Sequence, residues 1–405
     1  MGTVEKTRYE HIDYAKGIGV LMIMFAHVVQ NFSVMTPANL FVRAFHVPIF
    51  FVAAGYLFAC KNTNKNGNNG NSSQLTSGSY DEKKDFKSEI LNLVKKRVKT
   101  LLIPYIIFSL FNSALKISVL FVTHAMTGDA LKSELVELLI TGNGTVWFLL
   151  TLFFTEVLFN MVYIKTCNTA CAKTHEKVYI KSSDVEESKI SQKYVDCIIA
   201  LMCVVCTIIP YIIMEAKTPV GIVAIRVVAA MSYYCIGYFL LKISSILKRK
   251  IYAGNSKGVL PTLVFICGVM AWMFLGADID FFNGHFANMI GSVVSSALLS
   301  CGAILALSQF EDLAKRSLSK KNALVTITRG ILNYYGKNSL TVTLVHPTVL
   351  LVIMYPFGHI LTSFVGVTSA LVSIALFVFL CITQIPCILF IDRFMPFVVG
   401  KKREL

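Results

Sequence analysis

Residues 8–27, R-Y-E-H-I-D-Y-A-K-G-I-G-V-L-M-I-M-F-A-H, and residues 45–59, F-H-V-P-I-F-F-V-A-A-G-Y-L-F-A, decide how this chain is read. The first run predicts a membrane helix from about Asp13 to Phe32, and the second lies in a helix expected over 40–60. Lys16 and His27 stand eleven residues apart. At about 100° per residue that is roughly three turns plus 20°, so both fall on one helix face, about 16 Å apart along the axis. If Lys16 marks the membrane surface, His27 lies near the middle of an apolar layer about 30 Å thick. Ionisable groups are expensive to hold at that depth, which makes His27 the first candidate for chemistry. The plainer alternative is a neutral histidine bonded to the backbone of a neighbouring helix.

Working outward, hydrophobic residues make up 55% of the 405-residue chain, above the roughly 45–50% of soluble domains. Ten apolar segments are long enough to cross a bilayer: 13–32, 40–60, 99–123, 146–164, 195–214, 219–241, 259–276, 286–309, 338–355 and 364–390. The expectation is an all-α integral membrane protein, a bundle of about ten transmembrane helices. Lysines and arginines collect in alternate connections, as in Lys83, Lys84, Lys95, Lys96 and Arg97, then in 165–194, 242–257 and 315–337, and in the basic tail. Positively charged loops stay inside the cell, so both termini are expected to be cytoplasmic. The same distribution explains the net charge of +15 without nucleic acid. Residues 1–405 read as one multi-pass domain in the cell (plasma) membrane, with the lipid bilayer as its first partner. The polar, Gly- and Asn-rich stretch 61–85 reads as a flexible cytoplasmic insert. Most of the eleven cysteines lie in apolar runs, where thiols behave as small hydrophobes. The pair Cys203 and Cys206 has no second pair nearby, and no metal site is expected.

Several polar residues interrupt the apolar segments. His46, near the outer end of the second segment and followed by Pro48, is open between packing and function. His346 precedes Pro347, whose ring frees a backbone carbonyl, although a simple kink explains it equally. Glu156 and Arg226 either line a polar cavity or pair with one another, because an isolated charge in lipid is costly. Trp147 suits an interfacial aromatic belt. At the expected cytoplasmic mouth, Lys95, Lys96, Arg97 and Lys99 either anchor the third helix or join Lys16 in an anion site.

Taken in order, these blocks match a known pattern. R-x4-D-x2-K-G with a histidine eleven after the lysine, F-H-x-P-x-F-F-x3-G-Y, K-R-x4-L-x-P-Y, W-F-L-x2-L-F and G-K-N-S-L-x6-H resemble the acyltransferase 3 family. The likeness is nearest to the branch similar to fucose 4-O-acetylases. That resemblance implies a ten-helix membrane enzyme moving acyl groups, usually acetyl from acetyl-CoA, onto hydroxyls of surface carbohydrates. It places the family's cation and histidine on Lys16 and His27, its helix-two block on His46, its Trp block on Trp147 and its late histidine on His346. The family's Arg-x-x-Arg before the third helix reads Arg97-Val98-Lys99-Thr100 here, with Lys96 and Lys99 at the same spacing one residue earlier.

The resemblance therefore implies an O-acetyltransferase in which Lys16, Arg97 and Lys99 hold the phosphates of acetyl-CoA. His27 acts as base, and Asp13, three residues before Lys16, completes the catalytic set by orienting it. The acceptor is a carbohydrate, lipid-linked or polymeric, and glycan-assembly enzymes are expected partners. A proton-coupled transporter or flippase, with His27 and Glu156 as relay, is the competing class; the lack of an inverted repeat counts against it. The topology is directly testable. A reporter fused after Leu405 is expected to be active only inside the cell, and activity outside would overturn the orientation.

Overall fold

The computed structural model describes residues 8–68, 86–122, 127–142, 144–177, 184–213, 218–250, 259–276, 278–317 and 322–401. Among these, nine helical stretches are long and apolar enough to cross a membrane: 10–29, 33–63, 86–122, 147–170, 191–213, 219–246, 289–315, 339–362 and 366–394. A tenth apolar helix, Val259–Phe274, has 16 residues, about 24 Å of rise, short of the full apolar layer. It ends where Gly276 takes a positive φ of 60° and the chain turns into a two-stranded hairpin. Each expected apolar segment thus has a helical counterpart, and the difference lies in this short one. The chain is an all-α multi-pass membrane protein.

The elements in order are α1 (Glu10–Val29), α2 (Thr36–Arg43), α3 (Pro48–Asn68), α4 (Phe86–Arg97), α5 (Ile103–Val122), α6 (Gly128–Val136) and α7 (Trp147–Lys177). There follow α8 (Asp184–Ile213), α9 (Pro219–Lys250), α10 (Val259–Phe274), β1 (Ile279–Asp280), β2 (His285–Phe286) and α11 (Met289–Ser317). The last are α12 (Ala323–Lys337), α13 (Ser339–Thr362) and α14 (Gly366–Phe394). Between α4 and α5 the helix loosens into a π-turn, Val98–Leu102. Leu201, Val204, Ile208, Leu371, Phe379 and Leu389 point outward from the bundle, an apolar surface suited to lipid.

Several boundaries differ from those read in the sequence. Helix α1 begins at Glu10 and stops at Val29, because the Asn31 amide donates to the carbonyls of His27 and Val28 at 3.1 and 3.2 Å and closes the last turn. The second segment is two helices: α2 ends at Arg43, and Pro48 opens α3, where a missing N–H costs nothing. Helix α3 then runs through Asn68, into the stretch expected to be flexible, while 69–85 lie outside the described residues. The basic connection 310–337 is largely structured, since it holds the amphipathic helix α12. Residues 1–7 and 402–405 also lie outside the described residues.

Two glycine contacts set the packing that frames the centre. Gly17 of α1 faces the Leu332 carbonyl of α12, and Gly336 of α12 faces the Asp13 carbonyl; a Cβ would stand 2.4 and 1.9 Å from those oxygens. Helix α12 therefore lies backbone-close along the first half of α1. On the other side, a Cβ on Gly55 of α3 would meet the Tyr234 oxygen at 2.0 Å, and one on Gly237 of α9 the Val52 oxygen at 2.0 Å. Small residues are the usual means of close helix approach in a membrane, where van der Waals contact replaces the hydrophobic drive. Gly55→Ala must push α3 and α9 apart, and overpacking of this kind costs about 1–3 kcal/mol. A lowered thermal unfolding midpoint in detergent is expected, and an unchanged one would show that the contact yields freely.

Candidate active site

Three histidines converge where α1 ends. His27, in the last turn of α1, has its ring centroid 5.2 Å from that of His346 on α13, with planes tilted by 44°. His46, in the turn between α2 and α3, lies within electrostatic range of His27. Its Nδ1–H donates to the Val42 carbonyl at 2.8 Å. His346 makes the same bond from Nδ1 to the Val342 carbonyl, one helical turn back, at 2.8 Å. That bond decides the tautomer: with Nδ1 protonated, Nε2 carries the lone pair. The Nε2 atom of His346 is fully buried and has no hydrogen-bond partner among the described residues. Gln30 Nε2 approaches Nδ1 of His27 at 3.5 Å, the long limit of a hydrogen bond.

Lys16 lies six residues inside α1, after Glu10 and Asp13, whose charges are both met. Arg329 of α12 donates to both Glu10 oxygens at 3.0 Å, and Arg8 meets Asp13 at 2.6 Å. His27 stands in the last turn of the same helix. Asp13 lies 3.7 Å from Lys16 across one turn, so it balances that cation and does not reach the histidines.

Deeper in, a buried carboxylate gathers cations from several helices. Glu156 of α7 is 5% exposed, and its Oε2 lies 2.6 Å from Nε of Arg97 at the end of α4. Lys16 of α1, Lys61 of α3 and Lys96 of α4 lie within its electrostatic range. The sequence offered Arg226 as a partner for Glu156, and the structure gives it Arg97. The π-turn after Arg97 is what carries a charged residue into the bundle at this register. Of the residues expected to hold phosphate, Lys16 and Arg97 reach this cluster. Lys99 is exposed in the π-turn and belongs to none of the ion pairs among the described residues.

Arg226 has a different task. It is 2% exposed and donates to the carbonyls of Thr141, Phe281 and Phe282. Its guanidinium lies 4.9 Å from the centre of the Trp147 ring. Three carbonyls and an aromatic face replace the water that a buried cation loses. Trp147 is therefore 7% exposed and not part of a surface belt; it stacks on Phe281 at 14°. Arg226 ties the 137–141 turn and the β1–β2 loop over the N-terminal end of α7. Arg43 adds a second tie to that loop, 3.1 Å from Asp280. No local signal marked these partners, because backbone carbonyls are invisible to residue type.

His27 and His346 thus stand together at one end of α1, and Lys16, with the cations around Glu156, towards the other. A match to the acyltransferase 3 family, as an acyltransferase domain, runs over residues 9–389, and the chain belongs to that family. It is a membrane acyltransferase. Comparisons with curated proteins and with solved structures gave no match.

The Arg97–Glu156 pair makes a stability prediction. Arg97→Ala strands a buried carboxylate and is expected to cost about 3 kcal/mol. Adding Glu156→Gln removes the stranded charge and recovers most of the unfolding midpoint. Additive losses in the double variant would show that the two side chains act independently.

Proposed function

We propose that this protein is an O-acyltransferase moving an acetyl, or another short acyl group, from acyl-CoA to a hydroxyl of a cell-surface or lipid-linked carbohydrate. The observation that carries this reading is the approach of His346 to His27 on the α1 face that also carries Lys16, itself within electrostatic range of the Glu156 carboxylate paired with Arg97. Phosphates of the donor meet Lys16 and Arg97 from the cytoplasm, where guanidinium and ammonium groups bind phosphate well. The thioester then points towards His27. Because His27 is near the outer end of α1, the carbohydrate reaches it from the outer face, alongside glycan-assembly enzymes in the plasma membrane. Both termini are cytoplasmic in this arrangement.

His27 takes the proton from the acceptor hydroxyl as that oxygen attacks the thioester carbon. The carbon–sulfur bond breaks, the ester forms, and His27 returns the proton to the departing thiolate to give the free thiol. His346, held by Val342 in the tautomer with a bare Nε2, is placed to share that proton. Holding both substrates in one frame supplies the proximity contribution, and a dry site strengthens each polar contact. A second reading exchanges the two rings, with His346 as base and His27 orienting the hydroxyl; the unpartnered Nε2 of His346 favours it.

The test is acyl transfer from acetyl-CoA to candidate surface glycans by purified protein. His27→Ala is expected to lower turnover at least about 100-fold, the scale of a lost general base, while the protein still folds and binds donor. His346→Ala is expected to fall similarly if the rings share the proton. Normal transfer by His27→Ala would overturn the assignment, and a folded wild type without CoA binding would move the protein to the transporter class.

A further inference from the structure

Helix α2 has two unlike faces. Phe41 and Phe45 hold one of them to α10, with ring centroids 5.2 Å from Trp272 and 6.5 Å from Phe265. Ala44 and Phe45 also pack with Leu299 of α11. The helical register continues past Arg43, because the His46 N–H donates to the Val42 carbonyl, four residues back, at 3.0 Å. Asn39, Arg43 and His46, four and three residues apart, therefore share the opposite face. On that face Arg43 reaches Asp280 of β1 at 3.1 Å, and His46 lies within electrostatic range of His27.

This polar face is open to a solute. The Arg43 and Asp280 side chains are 29% and 26% exposed, and Asn39, His46 and His27 are each partly exposed. It also carries more hydrogen-bonding capacity than the fold uses. A guanidinium has five N–H donors, and Asp280 is the ion-pair partner of Arg43 among the described residues. Asp280 is itself fixed within its loop by Asn283, whose backbone N–H and side-chain amide donate to it at 3.1 and 2.8 Å. The Oδ1 atom of Asn39, one turn before Arg43, has no hydrogen-bond partner among the described residues. A tie between α2 and the hairpin would need the charge at Arg43 and would not need that amide. Rotation of a terminal amide is a soft torsion, so the oxygen can turn to a ligand.

An unmet acceptor and spare N–H donors one turn apart suit a ligand rich in hydroxyls, each of which both donates and accepts. His46 extends the series: its Nδ1–H is given to Val42, so Nε2 carries a lone pair on the side of the catalytic ring. We propose that Asn39 and Arg43 form a subsite for the carbohydrate acceptor, binding hydroxyls other than the one that reacts. Asp280 is the positioning residue that holds the guanidinium in place. The inference rests on the reading of acyl transfer to carbohydrate given above and adds to it the chain's own contacts for the acceptor. Asn39 accepts from one hydroxyl and Arg43 donates to another, which leaves the reacting oxygen directed to His27.

The experiment measures transfer from radiolabelled acetyl-CoA by the full-length protein in detergent. The acceptor is the glycan fraction extracted from cells that naturally make the protein but carry His27→Ala, so that it is unacylated. Wild type is compared with Asn39→Leu, which loses no internal hydrogen bond at Oδ1, and Arg43→Lys, which keeps the charge opposite Asp280 but loses the fork of donors. Each variant is expected to raise the apparent KM for the glycan fraction about tenfold, the scale of one or two hydrogen bonds. The Kd for CoA and the thermal midpoint are expected to stay at the wild-type values. An acceptor KM equal to wild type in both variants would overturn this inference and leave the transferase reading standing. A lowered midpoint with an unchanged KM would make the two residues structural and overturn it as well. No label in the carbohydrate from folded wild type that binds CoA would overturn the carbohydrate-acceptor reading, and this inference with it.

Discussion

The rest of the molecule depends on keeping one face of α1 inside the bundle. That face carries a cation at one end and an imidazole at the other, with apolar side chains between them. Lipid would leave Lys16 and His27 without partners, so other helices must cover the stripe along its length. Helix α12 covers its beginning by backbone contact at Gly17 and Gly336. Helices α13 and α14 cover the middle through Val342, Leu380 and Ile388. His346 closes the outer end against His27.

Charge is handled differently at the two ends. Near the start of α1, each carboxylate is met by a side-chain cation: Glu10 by Arg329, Asp13 by Arg8, and Glu311 by Lys315 at 2.6 Å and by Nδ1 of His11 at 2.7 Å. These bonds fasten α1 to α11 and α12 and spare Lys16 from serving as a structural anchor. At the other end Arg226 is solvated by carbonyls and the Trp147 ring, and this fixed positive charge braces the loops beside the Arg43–Asp280 ion pair. Around Glu156, Arg97 and the neighbouring lysines leave a surplus of positive charge. Such a surplus suits an anionic ligand.

Much of this could be read from residue order. Apolar runs gave the helices, because hydrophobic length is a strong signal, and the spacing of Lys16 and His27 placed them on one face. His346 was found by resemblance, and the structure sets it beside His27. Helix ends were less legible. The stop at Val29 depends on the Asn31 side chain, and the break before Pro48 depends on local turn chemistry, both inside runs whose hydropathy is continuous. Helix α12 was hidden because its amphipathic pattern sits among basic residues that read as a loop. Partnerships were hidden more deeply. Glu156 meets Arg97 and not Arg226, and Arg226 meets carbonyls, which follow from tertiary packing and not from spacing.

The most direct measurement is an experimental structure with a non-hydrolysable acyl-CoA analogue bound. This account predicts its phosphates against Lys16 and Arg97 and its acyl end beside His27 and His346. An analogue bound with its acyl end remote from that pair of rings would contradict it.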